Sequence, residues 1–185
     1  DRTDAFLRER KCSADLREGY GLTECVTASC LTPKGGQRRG SIGIPFPDTY
    51  YKIVNIGTTE TAEYGTDGEI CISGPSVMIG YVDEPEENEK TLRLHDDGRN
   101  WLHTGDIGMM DEDGYVYFRQ RLKRMIISSG YNVYPSHIED ILNRHPAVES
   151  SCVIGVPDAI RSQRVKAFLV LRPGAGGRDA VLRSV

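Results

Sequence analysis

The segment "REGYGLTE", residues 17–24, sets two glycines, an aromatic ring, a hydroxyl and a carboxylate side by side. Those residue types suit a nucleotide. Glycine lets the main chain come close to a ligand, and a ring such as that of Tyr20 can stack on a base. Thr23 and Glu24 offer hard oxygen atoms to a magnesium ion carried by phosphates. The same residues also fit a plain turn with a helix-capping Thr, and the segment alone leaves both readings open. A second candidate is Asp106, within "WLHTGDIG" at 101–108. After a glycine an Asp is commonly a turn residue or cap, but it can also accept hydrogen bonds from a ribose diol. A third is "RLKRMIISSGYNVYP", residues 121–135, where Arg121, Lys123 and Arg124 precede Gly130, Tyr131 and Pro135.

Elements of two characters must position these residues. The runs "TYYKIVNIG", "DGEICISG" and "DIGMMDEDGYVYFR" are short, strand-like and bounded by Gly, Pro and Asp. The "DEDG" inside the last run predicts a hairpin turn. Together they predict a small barrel or sandwich over residues 40–120. Between them the acidic "DEPEENEK" reads as a solvated loop or helix start. The charged, amphipathic "DAFLRERKCSADLREGYG" before them reads as the end of a preceding unit. Further on, "YPSHIEDILNRHP" predicts a helix with Pro135 at its first position and Pro146 at its end. Ile138, Ile141 and Leu142 share one face by their spacing. The runs "VESSCVIGVPD" and "RVKAFLVLRPG" then predict strands. The fold class is therefore α+β: a β-barrel-like part over 1–120, then a small α+β unit over 121–185 that the tail "GAGGRDAVLRSV" leaves incomplete.

The bulk composition excludes several functions. With 38% hydrophobic and 27% charged residues among 185, the chain is an ordinary globular sequence. A net charge of −4 gives no reason to bind nucleic acid, and the basic trio at 121–124 is too short for a polyanion patch. Five cysteines at 12, 25, 30, 71 and 152 lack partners at zinc-ligand spacing and read as free thiols of a reducing cytosol. The longest apolar run, "AFLVL", is far short of the roughly 20 residues of a transmembrane helix. "DRTDAFLRERK" is not a secretory signal. The expectation is a cytoplasmic protein without a transmembrane segment, its oligomeric state open.

In order, "YGLTE", "GEICISGPSVMIGY", "WLHTGD", "RLKRMIISSGYNVYPSHIE" and "VIGVPD" resemble the motif series of the adenylate-forming (AMP-dependent) synthetase and ligase superfamily. That superfamily includes acyl-CoA synthetases, aryl-CoA ligases, luciferases and peptide-synthetase adenylation domains. The resemblance runs from about residue 17 to 174 and is nearest to a fatty-acid–CoA ligase. It implies activation of a carboxylic acid with ATP to an acyl-adenylate, then transfer of the acyl group to CoA. ATP/AMP, Mg²⁺ and CoA are the cofactors and co-substrates implied, and a small carboxylic acid is the substrate. The other readings are an aryl-CoA ligase, a peptide-synthetase adenylation domain, or a non-catalytic nucleotide-binding or interaction module if the chain is natural at this length.

The resemblance also implies roles. Tyr20 would line the adenine pocket with Gly21 beside the nucleotide, Thr23 would contact phosphate, and Glu24 would help to hold Mg²⁺. Asp106 would bind the ribose hydroxyls and Arg121 the ribose or phosphate side. Lys123 would be the pivot about which a small domain turns between the two half-reactions, with Arg124 solvated. Gly130 and Tyr131 would lie along the CoA channel. His103 is expected to be a packing or polar residue. Gln120 replaces the family's Gly before the Arg, His137 replaces the first Glu of "PxEIE", and Asn132 stands where many members carry Arg or Lys. The family's phosphate loop lies upstream of "YGLTE" and its adenylation Lys beyond "RDAVLRSV", so a fragment inactive by itself is expected.

Overall fold

The computed structural model describes residues 2–175. Packing divides the chain into two compact units, Asp1–Phe118 and Arg119–Val185. The break lies two residues before the change of character that the sequence shows at 120.

The first unit opens with helix α1 (Arg2–Glu9). A three-stranded antiparallel ribbon follows, β1 (Gly19–Tyr20), β2 (Cys30–Leu31) and β3 (Ile44–Pro45). Next come β4 (Tyr50–Val54), β5 (Gly68–Ser73), α2 (Pro85–Thr91), β6 (Leu92–Leu94), β7 (Asn100–Met110) and β8 (Val116–Arg121). These strands form one antiparallel sheet in the order β4-β5-β7-β6, with β8 also paired to β7. The barrel-like part is thus an open sheet beside a ribbon; no sheet closes among the described residues. The acidic "DEPEENEK" becomes α2, which buries nothing, as a solvated helix should.

Side-chain alternation gives the sheet two different faces. Ile70, Ile72 and Leu102 pack on one face with Cys25, Cys30, Tyr51, Ile53 and Val116. Cys71 and Trp101 point the other way and pack with Val54. β5 lies between β4 and β7, so Gly68 through Ile72 are all buried, Glu69 among them. The expected hairpin joins β7 and β8: Asp111 accepts the Tyr115 N–H at 2.9 Å and the Asp113 N–H at 3.1 Å. Arg38 clasps this turn through Asp111 at 2.7 Å and Asp113 at 2.6 Å.

The second unit contains β9 (Ile126–Ser128), β10 (Tyr131–Val133), α3 (Pro135–Asn143), β11 (Val148–Asp158) and β12 (Ser162–Leu171). Its sheet runs β10-β9-β12-β11. Helix α3 starts at Pro135, as its sequence predicts. Leu142 and Ile138 join Ile126, Val153, Val133, Val165 and Leu169 in the unit's core. Ile141, expected on the same face, is instead 69% exposed. At i+3 from Ile138 it falls on the flank of a stripe that Ile138 and Leu142 fill. The tail, from residue 176 onward, lies outside the described residues.

Candidate active site

Asp106 owes its position to an irregularity in the sheet. Glu69 pairs with Ile107 and Cys71 pairs with His103, so Ile70 alone faces Thr104, Gly105 and Asp106. The bulge bends β7, and Gly105 takes φ +68, a conformation that favours glycine. Every residue of the bulge is held. The Thr104 hydroxyl donates to the Ile70 carbonyl at 2.8 Å and accepts the Asp106 N–H at 3.1 Å. Glu69 Oε1 accepts the Gly105 N–H at 3.0 Å, and Oε2 lies 2.8 Å from His103 Nδ1. Asp106 itself is 1% exposed.

The "YGLTE" and "WLHTGD" segments meet at this point. The Tyr20 hydroxyl donates to Asp106 Oδ2 at 2.6 Å across 86 positions of chain. The Tyr20 ring is flanked by Tyr51 edge-on, at 6.5 Å between centroids, and by Phe118 at 6.2 Å. Tyr51 is itself tied to Ser29 by a hydrogen bond between hydroxyls. Gly21 is required by the protein's own backbone: a Cβ there would fall 1.4 Å from the Thr27 carbonyl oxygen. The chain doubles back through Val26 and Thr27, both at positive φ, and returns along β2.

Thr23 opens a 3-10 turn, Thr23–Cys25, with Leu22 in the cap position and no side-chain cap bond. The helix-capping alternative for Thr23 therefore does not apply, and its side chain is exposed. Glu24 is half-buried, and its Oε1 accepts the Tyr81 hydroxyl at 2.8 Å. Burial and the Glu24 carboxylate together push the Tyr81 phenol up to about 12, so it stays a donor at neutral pH. Asn88 on α2 grips the Tyr81 main chain on both sides, accepting its N–H at 2.6 Å and donating to its carbonyl at 2.9 Å. Among the described residues no group of three or more His, Cys, Asp or Glu side chains converges on a metal position. Glu24 with Thr23 is an all-oxygen donor set, and Mg²⁺ commonly takes one or two carboxylates with phosphates and water completing its shell. The residues fit that ion.

The remaining candidates belong to the second unit. Arg121 ends β8, and Lys123 is exposed in a 3-10 turn, Leu122–Arg124. Arg124, expected in solvent, is exposed and also pairs with Glu139 at 2.6 Å. Glu139 Oε1 also accepts the Val153 N–H at 2.8 Å, so one carboxylate ties the turn and α3 to β11. Ser129 and Gly130, at φ +52 and +82, form the two-residue turn between β9 and β10. A Cβ at Gly130 would meet nothing within 4 Å, so within its unit the turn's φ accounts for the glycine. Tyr131 is 76% exposed. Gln120, in the family's Gly position, caps α3 through the Ser136 hydroxyl at 3.3 Å and N–H at 3.5 Å.

Residues 2–82 match the family model of the AMP-binding enzymes, and residues 137–185 match that of the AMP-binding enzyme C-terminal domain. A long-chain-fatty-acid–CoA ligase of Bacillus subtilis is 45% identical over 168 residues, 90% of this chain and 29% of that protein. The chain belongs to the AMP-binding enzyme family. A fatty acid–[acyl-carrier-protein] ligase of Streptomyces coeruleorubidus is 41% identical over 179 residues, covering 93% of this chain and 33% of that one. MatB from Rhodopseudomonas palustris, solved with ATP bound, superposes with a TM-score of 0.79 at 35% identity, over 88% of this chain and 32% of its own. The chain thus spans about a third of the length of these AMP-binding relatives. No helix among the described residues is long and apolar enough to cross a membrane.

The structure adds residues that the motifs did not single out. Tyr81, from "SGPSVMIGY", touches Glu24, and its signal was faint because one Tyr in a loop has many uses. Glu69 and His95 complete a buried polar set with His103, which is the polar packing residue expected. Glu69 carried a readable signal: a carboxylate inside "GEICIS", a run otherwise fit for burial on both faces.

Proposed function

We propose that this chain is the part of an acyl-CoA synthetase that joins the end of its adenylating domain, 1–120, to the start of its small domain, 121–185. The substrate would be a carboxylic acid of the fatty type. The observation that carries the reading is the 2.6 Å hydrogen bond from Tyr20 to Asp106, which brings residues of two family motifs into contact. A buried carboxylate held in this way is a preorganised acceptor for the two hydroxyls of a ribose.

In the proposed reaction a carboxylate oxygen of the acid attacks the α-phosphorus of ATP, and the bond to pyrophosphate breaks. The CoA thiol, losing its proton, then attacks the acyl carbonyl and AMP leaves. Asp106 would orient the ribose, Tyr20 with Gly21 would form the wall beside the base, and Thr23 would donate to phosphate. Glu24 would hold Mg²⁺, which when bound supplies positive charge against the departing pyrophosphate. Arg121 would add a cation on the nucleotide side, Lys123 the pivot, and Gly130 with Tyr131 a wall for CoA. The fatty-acid ligase among the relatives favours this substrate class.

Replacing Asp106 by Ala should weaken AMP and ATP binding by about tenfold or more, the scale of a lost charged hydrogen-bond acceptor. Calorimetric titration of the full-length protein with AMP tests this, and unchanged affinity would make Asp106 a turn residue only. ATP–pyrophosphate exchange with fatty, aryl and amino acids tests the substrate. Exchange with amino acids alone would overturn the acyl-CoA reading.

A further inference from the structure

Glu69 accepts the N–H of Gly105, the neighbour of Asp106, and with His103 and His95 it forms a buried polar set that the proposed reaction does not use. Glu69 and His103 are each 6% exposed and His95 4%. With both rings neutral and Glu69 ionised, so that it only accepts, His103 carries its hydrogen on Nδ1 and leaves the Nε2 lone pair outward. That lone pair lies 2.9 Å from His95 Nε2, which must therefore be the donor. His95 Nδ1 is then a bare lone pair, and it has no partner, as a neutral ring in this tautomer allows. Trp101 covers the His95 ring at 5.9 Å, and Lys52, Arg93 and Asp97 supply the surrounding charge.

The chain of bonds ends at the bulge. Glu69 uses one oxygen for His103 Nδ1–H and the other for Gly105 N–H, one residue before Asp106. Without Glu69 the bulge loses the acceptor of the Gly105 N–H, while the Thr104 hydroxyl bonds and the Tyr20 bond to Asp106 remain. A bulge held by fewer bonds samples more orientations, and a hydrogen bond to a mobile acceptor costs ordering entropy when the ligand binds.

We infer that Glu69, oriented by His103 and His95, is the positioning residue that presents Asp106 to the ribose hydroxyls of the nucleotide. This rests on the ribose role given to Asp106 above. Its signature is selective. Glu69 should matter for a ligand that bears ribose hydroxyls and be indifferent to one that lacks them.

The test compares AMP with 2′,3′-dideoxy-AMP by calorimetric titration of the full-length protein and its E69A, E69Q and D106A variants. In the unaltered protein AMP should bind more tightly, and D106A should erase the preference. E69A should reduce it about tenfold, the scale of losing bonds to a charged acceptor, with dideoxy-AMP affinity unchanged. E69Q preserves volume and should fold even where E69A does not. An amide accepts about half as strongly as a carboxylate and keeps both bonds only if the His103 proton moves to Nε2 and the His95 proton to Nδ1. E69Q should therefore reduce the preference about fivefold, with the imidazole nitrogen signals of His95 exchanging character. A wild-type preference in E69Q, or equal loss for both ligands, overturns the inference. A preference that survives D106A overturns the ribose reading itself and the inference with it.

Discussion

Glu24 shows how far one side chain depends on its neighbour. The Tyr81 hydroxyl holds Oε1 at 2.8 Å, and Asn88 holds Tyr81 in turn. If Glu24 ligates Mg²⁺, removing the phenol oxygen frees the carboxylate to rotate and adds ordering entropy to metal binding. Tyr81→Phe should raise the Mg²⁺ concentration for half-maximal ATP–pyrophosphate exchange by about three- to tenfold, the scale of one hydrogen bond. The KM for the acid should stay unchanged. An unaltered Mg²⁺ dependence would separate Tyr81 from the metal. Gly21 teaches a different lesson at this scale: a residue chosen as a ligand-facing glycine is needed because Thr27 and Ala28 pass too close for any Cβ.

Strands β5 and β7, with the loop between β6 and β7, carry the polar set that answers to pH. Burial lowers the His95 imidazole below its ordinary value of 6.5, with Lys52 and His103 adding to the effect. Burial pushes the Glu69 carboxyl up, but the bond and charge of His103 and the Gly105 N–H outweigh it and hold the group below 4.5. In both cases the unfolded chain takes up protons more readily than the folded one. Stability is thus fully present above pH 6.5 and is lost as pH falls, first through the window between 6.5 and the folded His95 value. Glu69 adds a further loss below 4.5. Thermal unfolding from pH 8 to 4 should show a flat midpoint that declines from about 6.5 downward. His95→Phe should flatten the first part of the decline, and an unchanged profile would mean that His95 is not the group responsible.

For the whole molecule the proposed cycle requires the two units to move relative to each other, and Lys123 lies in the turn that follows their junction. Proline there fixes φ and disfavours the 3-10 geometry of Leu122 before it. In the full-length enzyme, Lys123→Pro should slow thioester formation at least tenfold more than adenylation, as separate half-reaction assays would show. Equal loss in both half-reactions would remove the hinge role.

Much of this protein is legible in one dimension because its causes are local. The "DEDG" turn, the helix begun by Pro135 and the strands around "GEICISG" depend on residues close in sequence, and the structure places each where its pattern predicts. The ordered motifs likewise sufficed to indicate the family, since order along a chain needs no folding to be read. What only the tertiary structure decided are contacts between distant segments: Tyr20 with Asp106, Glu24 with Tyr81, Arg124 with Glu139, and Glu69 with His103. It also decided that Ile141 faces solvent and that Gly21 serves the backbone. The physical reason is the bulge. Two extra residues in β7 change which atoms of β5 they face, and no spacing within "WLHTGD" reveals a register that the partner strand sets.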